Sequence, residues 1–257
     1  MKCNYHTHTK RCMHAIGNDE EYVLAAIKNG YDVLGFSDHT PWNYNSDFIP
    51  YMRMRLEEFD EYYNSIKALK LKYQDRIEIL IGVEAEYYPE YIDWFKDFIK
   101  EKKLDYVIFG NHYYISDERK LYFGNLTNED EYLDEYLRYC IEGLKTGIYA
   151  YLAHPDLFMR GRHIFDEKAK EISYKICEYA KDNDVILEYN LEGLRMQDSG
   201  RDVYYPHDEF WKIASEVGVK AIIGVDAHNP LSLSDDKYYN MAKDKLKEYH
   251  IEIVEKL

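Results

Sequence analysis

The chain has 257 residues, with 33 Lys+Arg against 48 Asp+Glu and a formal net charge of −15. That length can bury a substantial core, and the acidic balance argues against a nucleic-acid binder, because phosphate backbones require a basic footprint. Four cysteines without a CxxC pair indicate reduced thiols, and no apolar run of 18 residues or hydrophobic leader occurs, so a cytoplasmic protein with no membrane partner is expected.

A strand over Lys2–Tyr5 opens the chain and runs into His6 and His8, with His14 in the loop beyond. A helix over Glu20–Asn29 precedes a strand over Val33–Phe36, which is followed by Asp38 and His39. The next helix, Arg53–Tyr73, carries Phe59, Tyr62, Tyr63, Ile66 and Leu69 at three- and four-residue spacing, the stripe that a sheet-covering helix needs. A strand over Ile77–Val83 then delivers Glu84 and Glu86. Beyond the helix Tyr91–Lys102, the strand Tyr106–Phe109 leads to His112, and beyond Glu131–Lys145 the strand Tyr149–Ala153 leads to His154. The helix Glu167–Lys181 and strand Val185–Tyr189 bring Glu188 and Asn190. The helix Glu209–Glu216 and strand Ala221–Val225 bring Asp226 and His228 before a last helix, Asp236–Tyr249. The 28 tyrosines are spread along the chain and are expected to serve as amphipathic packing residues.

Alternation of strand and helix seven times predicts a parallel sheet with helical crossovers. An open doubly wound sheet satisfies the same pattern. The polar residues favour a barrel, because histidines and carboxylates follow nearly every strand, and a barrel gathers its strand ends around one mouth. No linker or repeat divides the chain, so residues 1–257 are expected to form one domain.

The strand-end residues also indicate the chemistry. Side chains alternate along a strand, so His6 and His8 point to one face and can share an ion, and Asp226 and His228 repeat that spacing at the last strand. Each pair alone is a weak signal. Together, with further His and Glu at the strand ends between them, they predict a metal site. No GxSxG elbow, P-loop or GxGxxG occurs, and the candidates are too dispersed for a four-ligand structural zinc site.

The HTH opening, GFSDHTP at 35–41, GVE at 82–84, GNH at 110–112, AHPD at 153–156 and GVDAH at 224–228 together resemble the successive motifs of the polymerase and histidinol phosphatase (PHP) superfamily. The stretch CMHAIGNDEEYVLAAIKNGYDVLGFSDHTP and the AHPDLF segment are most similar to its histidinol-phosphate phosphatase branch. That resemblance implies a distorted (β/α)7 barrel carrying three divalent metal ions at the C-terminal ends of its strands. By motif, one ion takes His6, His8, Glu84 and Asp226; a second shares Glu84 and adds His112 and His154; a third takes His14, His39 and His228. Imidazoles with two carboxylates suit zinc, iron or manganese.

The implied reaction is hydrolysis of L-histidinol phosphate to L-histidinol and phosphate in histidine biosynthesis. A hydroxide bridging two ions would attack phosphorus, with Asp226 accepting or shuttling a proton. His39, His207 or water could protonate the leaving group. Arg160, following the fifth strand, and Arg195, following the sixth, are expected at the same mouth as phosphate contacts, with His207 as a further pocket residue. Related PHP proteins act on phosphotyrosine, other phosphate esters or nucleic acid, and a non-catalytic metal-binding module is the remaining alternative.

Overall fold

The computed structural model describes residues 1–257. Eight strands occur in chain order: β1 Cys3–Asn4, β2 Val33–Phe36, β3 Glu78–Ala85, β4 Tyr106–Gly110, β5 Tyr151–Ala153, β6 Ile186–Asn190, β7 Lys220–Gly224 and β8 Glu252–Ile253. Each pairs in parallel with the next, giving the sheet order β1-β2-β3-β4-β5-β6-β7-β8. The covering helices are α1 Asp19–Lys28, α2 Phe59–Lys72, α3 Ile92–Lys102, α4 Phe123–Leu126, α5 Asp130–Lys145, α6 Met159–Arg162, α7 Glu167–Asp182, α8 Leu191–Asp198, α9 Asp208–Val217 and α10 Lys237–Glu248. No helix is long and apolar enough to cross a membrane.

The two-residue side-chain period sorts the sheet into an outer and an inner face. Leu34, Ile79, Ile81, Val107, Leu187 and Ile223 join the large core beneath the helices. The alternate set, including Cys3, Tyr5, Val33, Ile108, Tyr151 and Ile222, forms a second small core inside the curled sheet. Tyr106 fills this lumen by lying against the bare backbone of Gly35, where a Cβ would sit 2.3 Å from its hydroxyl. Continuing the inner face upward gives Glu84 on β3 and Glu188 on β6. The barrel interior is therefore apolar below and acidic at the strand ends.

The first and seventh strands meet only at the mouth. Past their ends, His8 N–H donates to the Ala227 carbonyl at 3.0 Å and Ala227 N–H to the His6 carbonyl at 3.1 Å. Asn4 fastens the same seam by accepting from Val225 N–H at 2.8 Å. At the opposite end β8 pairs with β7, and the residues after it reach β1, where Leu257 N–H donates to the Tyr5 hydroxyl at 3.1 Å. The seven-stranded expectation thus describes the mouth. The eighth strand, two residues long, carries too little apolar pattern to be read from sequence.

The predicted helix over Arg53–Tyr73 begins later, at Phe59, after a 3-10 turn over Leu56–Glu58. Arg53 is the reason. Its fully buried guanidinium binds Glu86 at 2.8 and 3.0 Å and Asp117 at 2.8 Å, and donates to the Thr40 carbonyl at 3.0 Å. Drawing that side chain inward holds residues 53–55 against the barrel mouth and keeps them out of the helix.

Candidate metal centre

The loops after the strands converge on one cluster. His6 and His8 leave β1, Glu84 ends the inner face of β3, His112 follows β4, His154 follows β5, and Asp226 and His228 follow β7. His154 and Asp226 adopt the left-handed backbone, with φ of +30° and +51°. Such conformations are costly outside glycine and persist where the surroundings impose them, here turning both side chains into the mouth.

Three pairs of imidazole nitrogens face one another across this cluster. His6 Nε2 lies 3.1 Å from His8 Nε2, His112 Nε2 3.2 Å from His154 Nε2, and His14 Nε2 3.0 Å from His228 Nε2. Carboxylate oxygens complete the groups. Asp226 Oδ1 is 3.3 Å from His6 Nε2 and 3.2 Å from His8 Nε2. Glu84 sits centrally, 3.0 Å from His154 and from His39 Nδ1, 3.4 Å from His112, and 3.5 Å from both His6 and His8. His39 also shares a group with His8 and His228. His14 is the exposed member, so the His14–His228 pair forms the solvent edge.

The opposite nitrogens fix the tautomers of four of these rings. His6 Nδ1 lies 2.7 Å from Glu188 Oε1 and His112 Nδ1 3.1 Å from Glu86 Oε1. His14 Nδ1 is 2.7 Å from the Cys12 carbonyl and His228 Nδ1 3.1 Å from the Asp226 carbonyl. His8 Nδ1 faces Asp38 at 3.5 Å. Carbonyls and carboxylates accept, so in His6, His112, His14 and His228 Nδ1 donates and the Nε2 lone pair is left to the cluster, whereas the buried Nδ1 atoms of His8 and His154 make no hydrogen bond. Facing lone pairs repel unless a cation or proton lies between them. Two nitrogens at the zinc distance of 2.0–2.1 Å in a tetrahedral site are about 3.3 Å apart, close to the spacing seen. Asp226 Oδ1 is buried and accepts no hydrogen bond. The donor set therefore fits divalent metal.

Protons reveal the same demand for positive charge. Burial works against a charged His8, but Asp226 and Asp38 outweigh it and raise that ring to about 9. Burial, with His8 beside it, pushes His39 down to about 3. Burial disfavours the ionised forms of Glu84 and Asp226, yet the surrounding histidines hold both well below the usual carboxylate range. Metal binding would displace the shared protons.

Glu188 is a strand-end residue outside the ligand set that the motifs imply. Gly224 makes room for it, since a Cβ there would fall 1.8 Å from Glu188 Oε1. Glu188 also accepts from His154 N–H at 3.1 Å and from Asn190 at 3.0 Å. Glu188→Gln is expected to weaken metal affinity by about 10–100-fold, the usual cost of removing such a ring-orienting partner. Chelator competition measures it, and an unchanged affinity would contradict the role.

The cluster floors a cavity of about 610 Å³, walled by Tyr51, Met52, Tyr113, Tyr122, Tyr205 and Arg160, with Leu157, Glu192, Met196 and Arg201. Arg160 reaches it as expected, lying 5.7 Å from the Tyr122 ring and pairing with no carboxylate. Two expected residues do not reach it. Arg195 sits one turn along α8 from Glu192 and is consumed there, donating to Glu192 at 3.0 Å and to the Val225 carbonyl at 2.7 Å. His207 caps α9, accepts from Glu209 N–H at 3.3 Å, and stacks on Phe165 with ring centres 5.0 Å apart. Arg201, to which no role was expected, lines the cavity and Arg195 does not. No spacing in the sequence distinguishes the tyrosines on the wall from those that pack elsewhere in the chain. All four cysteines are buried and unpaired, and Cys12 lies beside His14 and His228.

Comparison with known proteins places this geometry. A Deinococcus radiodurans protein named "Probable histidinol-phosphatase" is 27% identical over 242 residues, covering 89% of this chain and 86% of its own. A Lactococcus lactis protein named "Histidinol-phosphatase" is 23% identical over 237 residues, covering 88% and 84%. The crystal structure of histidinol phosphate phosphatase from Lactococcus lactis, complexed with zinc, L-histidinol and phosphate, superposes with a TM-score of 0.72 at 21% identity, covering 98% of this chain and 95% of that one. The PHP domain family model matches residues 4–192, and β7 with Asp226 and His228 completes the mouth beyond that match. This chain belongs to the PHP domain family.

Proposed function

We propose that the whole chain is one metal-dependent phosphomonoesterase domain that hydrolyses L-histidinol phosphate to L-histidinol and phosphate. The observation that carries this is the set of three facing Nε2 pairs around Glu84 and Asp226, at the floor of a cavity bearing two guanidinium groups without carboxylate partners. The names of the Deinococcus and Lactococcus relatives, and the ligands in the Lactococcus structure, support the choice of substrate.

Three divalent ions, zinc, iron or manganese, are assigned to the three pairs. His6, His8, Glu84 and Asp226 would hold one; Glu84, His112 and His154 a second; His14, His39 and His228 a third. Bound there, such ions supply Lewis acidity toward phosphate oxygens and lower the pKa of water toward 7. Glu84 lies within 3.5 Å of His6, His8, His112 and His154 and would be shared by both inner positions. Three ions carry +6 against −2 from Glu84 and Asp226, and Asp38, Glu86 and Glu188 behind the rings add −3. The remaining +1 leaves the floor attractive to an anionic ester. Asp226 would also accept or shuttle a proton at the floor, and Arg160, on the cavity wall, would hold a phosphate oxygen.

Arg160→Met is expected to retain its metal and lower kcat/KM by about 10–100-fold, since charge-assisted contacts of this type contribute about 1.5–3 kcal/mol. Unchanged kinetics would remove Arg160 from the site. The tyrosine wall favours one second reading, an aryl phosphate such as phosphotyrosine. Steady-state kinetics on L-histidinol phosphate, phosphotyrosine and sugar phosphates separate the two. The highest kcat/KM is expected for L-histidinol phosphate, and a generic ester hydrolysed better would overturn the assignment.

A further inference from the structure

Most of the charge lining the cavity is suited to an anion. Arg160 and Arg201 stand on its wall and a cation-binding cluster forms its floor. A substrate that carries an ammonium group beside its phosphate would be repelled by this lining. The cavity holds three carboxylates, of which Glu84 and Asp226 belong to the cluster. Glu192 is the third.

Its setting is that of a preorganised acceptor. Asn190 caps α8 by accepting from Gly193 N–H at 2.9 Å, which fixes the first turn in which Glu192 lies. Arg195 binds only one carboxylate oxygen, Oε2, at 2.9–3.0 Å, and is itself braced by the Val225 carbonyl. Oε1 makes no hydrogen bond, and the side chain retains 22% of its exposure, on the cavity side. Burial raises its pKa above the usual carboxylate range, Arg195 and Arg201 oppose that rise and Asp226 adds to it, which places Glu192 close to the cluster as well as to the wall. Arg195 thus serves a purpose other than phosphate binding: it orients Glu192 through Oε2 and opposes the protonation that burial favours.

We propose that Glu192 Oε1 receives the ammonium group of the substrate, making Glu192 the residue that selects aminoalkyl phosphates over uncharged phosphate esters. This rests on the phosphomonoesterase function proposed above and names the group that sets its specificity. With the phosphate held at the cluster and Arg160, the ester chain leads up the wall, and an ammonium one carbon from the ester-bearing carbon lies within a few ångströms of phosphorus. A fixed carboxylate there repays part of the cost of bringing a cation into a basic cavity.

The test compares kcat/KM for L-histidinol phosphate with that for 3-(imidazol-4-yl)propyl phosphate, which lacks only the amine, in the metal-loaded wild-type and variant proteins. The wild type is expected to prefer the amine-bearing ester. In Glu192→Gln that preference should fall by about 30-fold, carried mainly by KM, as for loss of one charged hydrogen bond. Glu192→Asp, which keeps the charge, should recover part of it, and metal content should be intact in both. A wild type without the preference, or a Glu192→Gln variant that retains it, would overturn the role of Glu192. If the wild type hydrolyses neither ester better than p-nitrophenyl phosphate, the proposed function itself fails.

Discussion

Glu84→Gln is expected to lower kcat/KM by about 10³-fold or more, equivalent to about 4 kcal/mol of transition-state stabilisation. Glu84 is the only side chain within 3.5 Å of rings from four different loops: His6 and His8, His39, His112, and His154. The amide is nearly isosteric but removes one negative charge, and it turns an N–H₂ donor toward a place that requires lone pairs. Both inner ion positions should lose occupancy together. Metal analysis of the purified variant, alongside its kinetics, separates this from a misplaced substrate. Full metal content with activity within tenfold of wild type would show that Glu84 does not link the two positions.

Asp226→Asn should cost about 10²–10³-fold. This substitution isolates charge from backbone, because asparagine tolerates the left-handed conformation that Asp226 adopts at φ +51°. The contact from Asn190 to Oδ2, at 3.1 Å, would be lost or inverted, while the free Oδ1 loses its charge beside His6 and His8. The expected signature is weakened occupancy of the His6–His8 position together with a reduced kcat. A variant impaired only in KM would assign Asp226 to substrate binding instead.

The cluster was legible in sequence because strand ends impose regular placement. A two-residue period sends His6 with His8 to one side, and repeated parallel crossovers bring every strand's carboxyl end to one mouth. The residues around the cluster obey no such rule. Arg160 and Arg195 both follow strands, but α8 turns Arg195 back onto Glu192, three residues earlier, and spares Arg201. His207 was drawn away by its capping role at α9. Glu188 is on the inner face by strand period and could have been found from it. Glu192, whose orientation depends on a short helix, could not. The start of α2 was misplaced for a similar reason, since apolar spacing does not register that Arg53 is anchored to Glu86 and Asp117.

Anomalous diffraction from crystals grown in excess divalent metal tests the central claim most directly. Three peaks per chain are expected, one between His6 and His8, one between His112 and His154, and one at the His14–His228 edge, with the inner two joined by Glu84. Fewer than two peaks under those conditions, or peaks away from the facing Nε2 atoms, would contradict a multinuclear phosphatase centre.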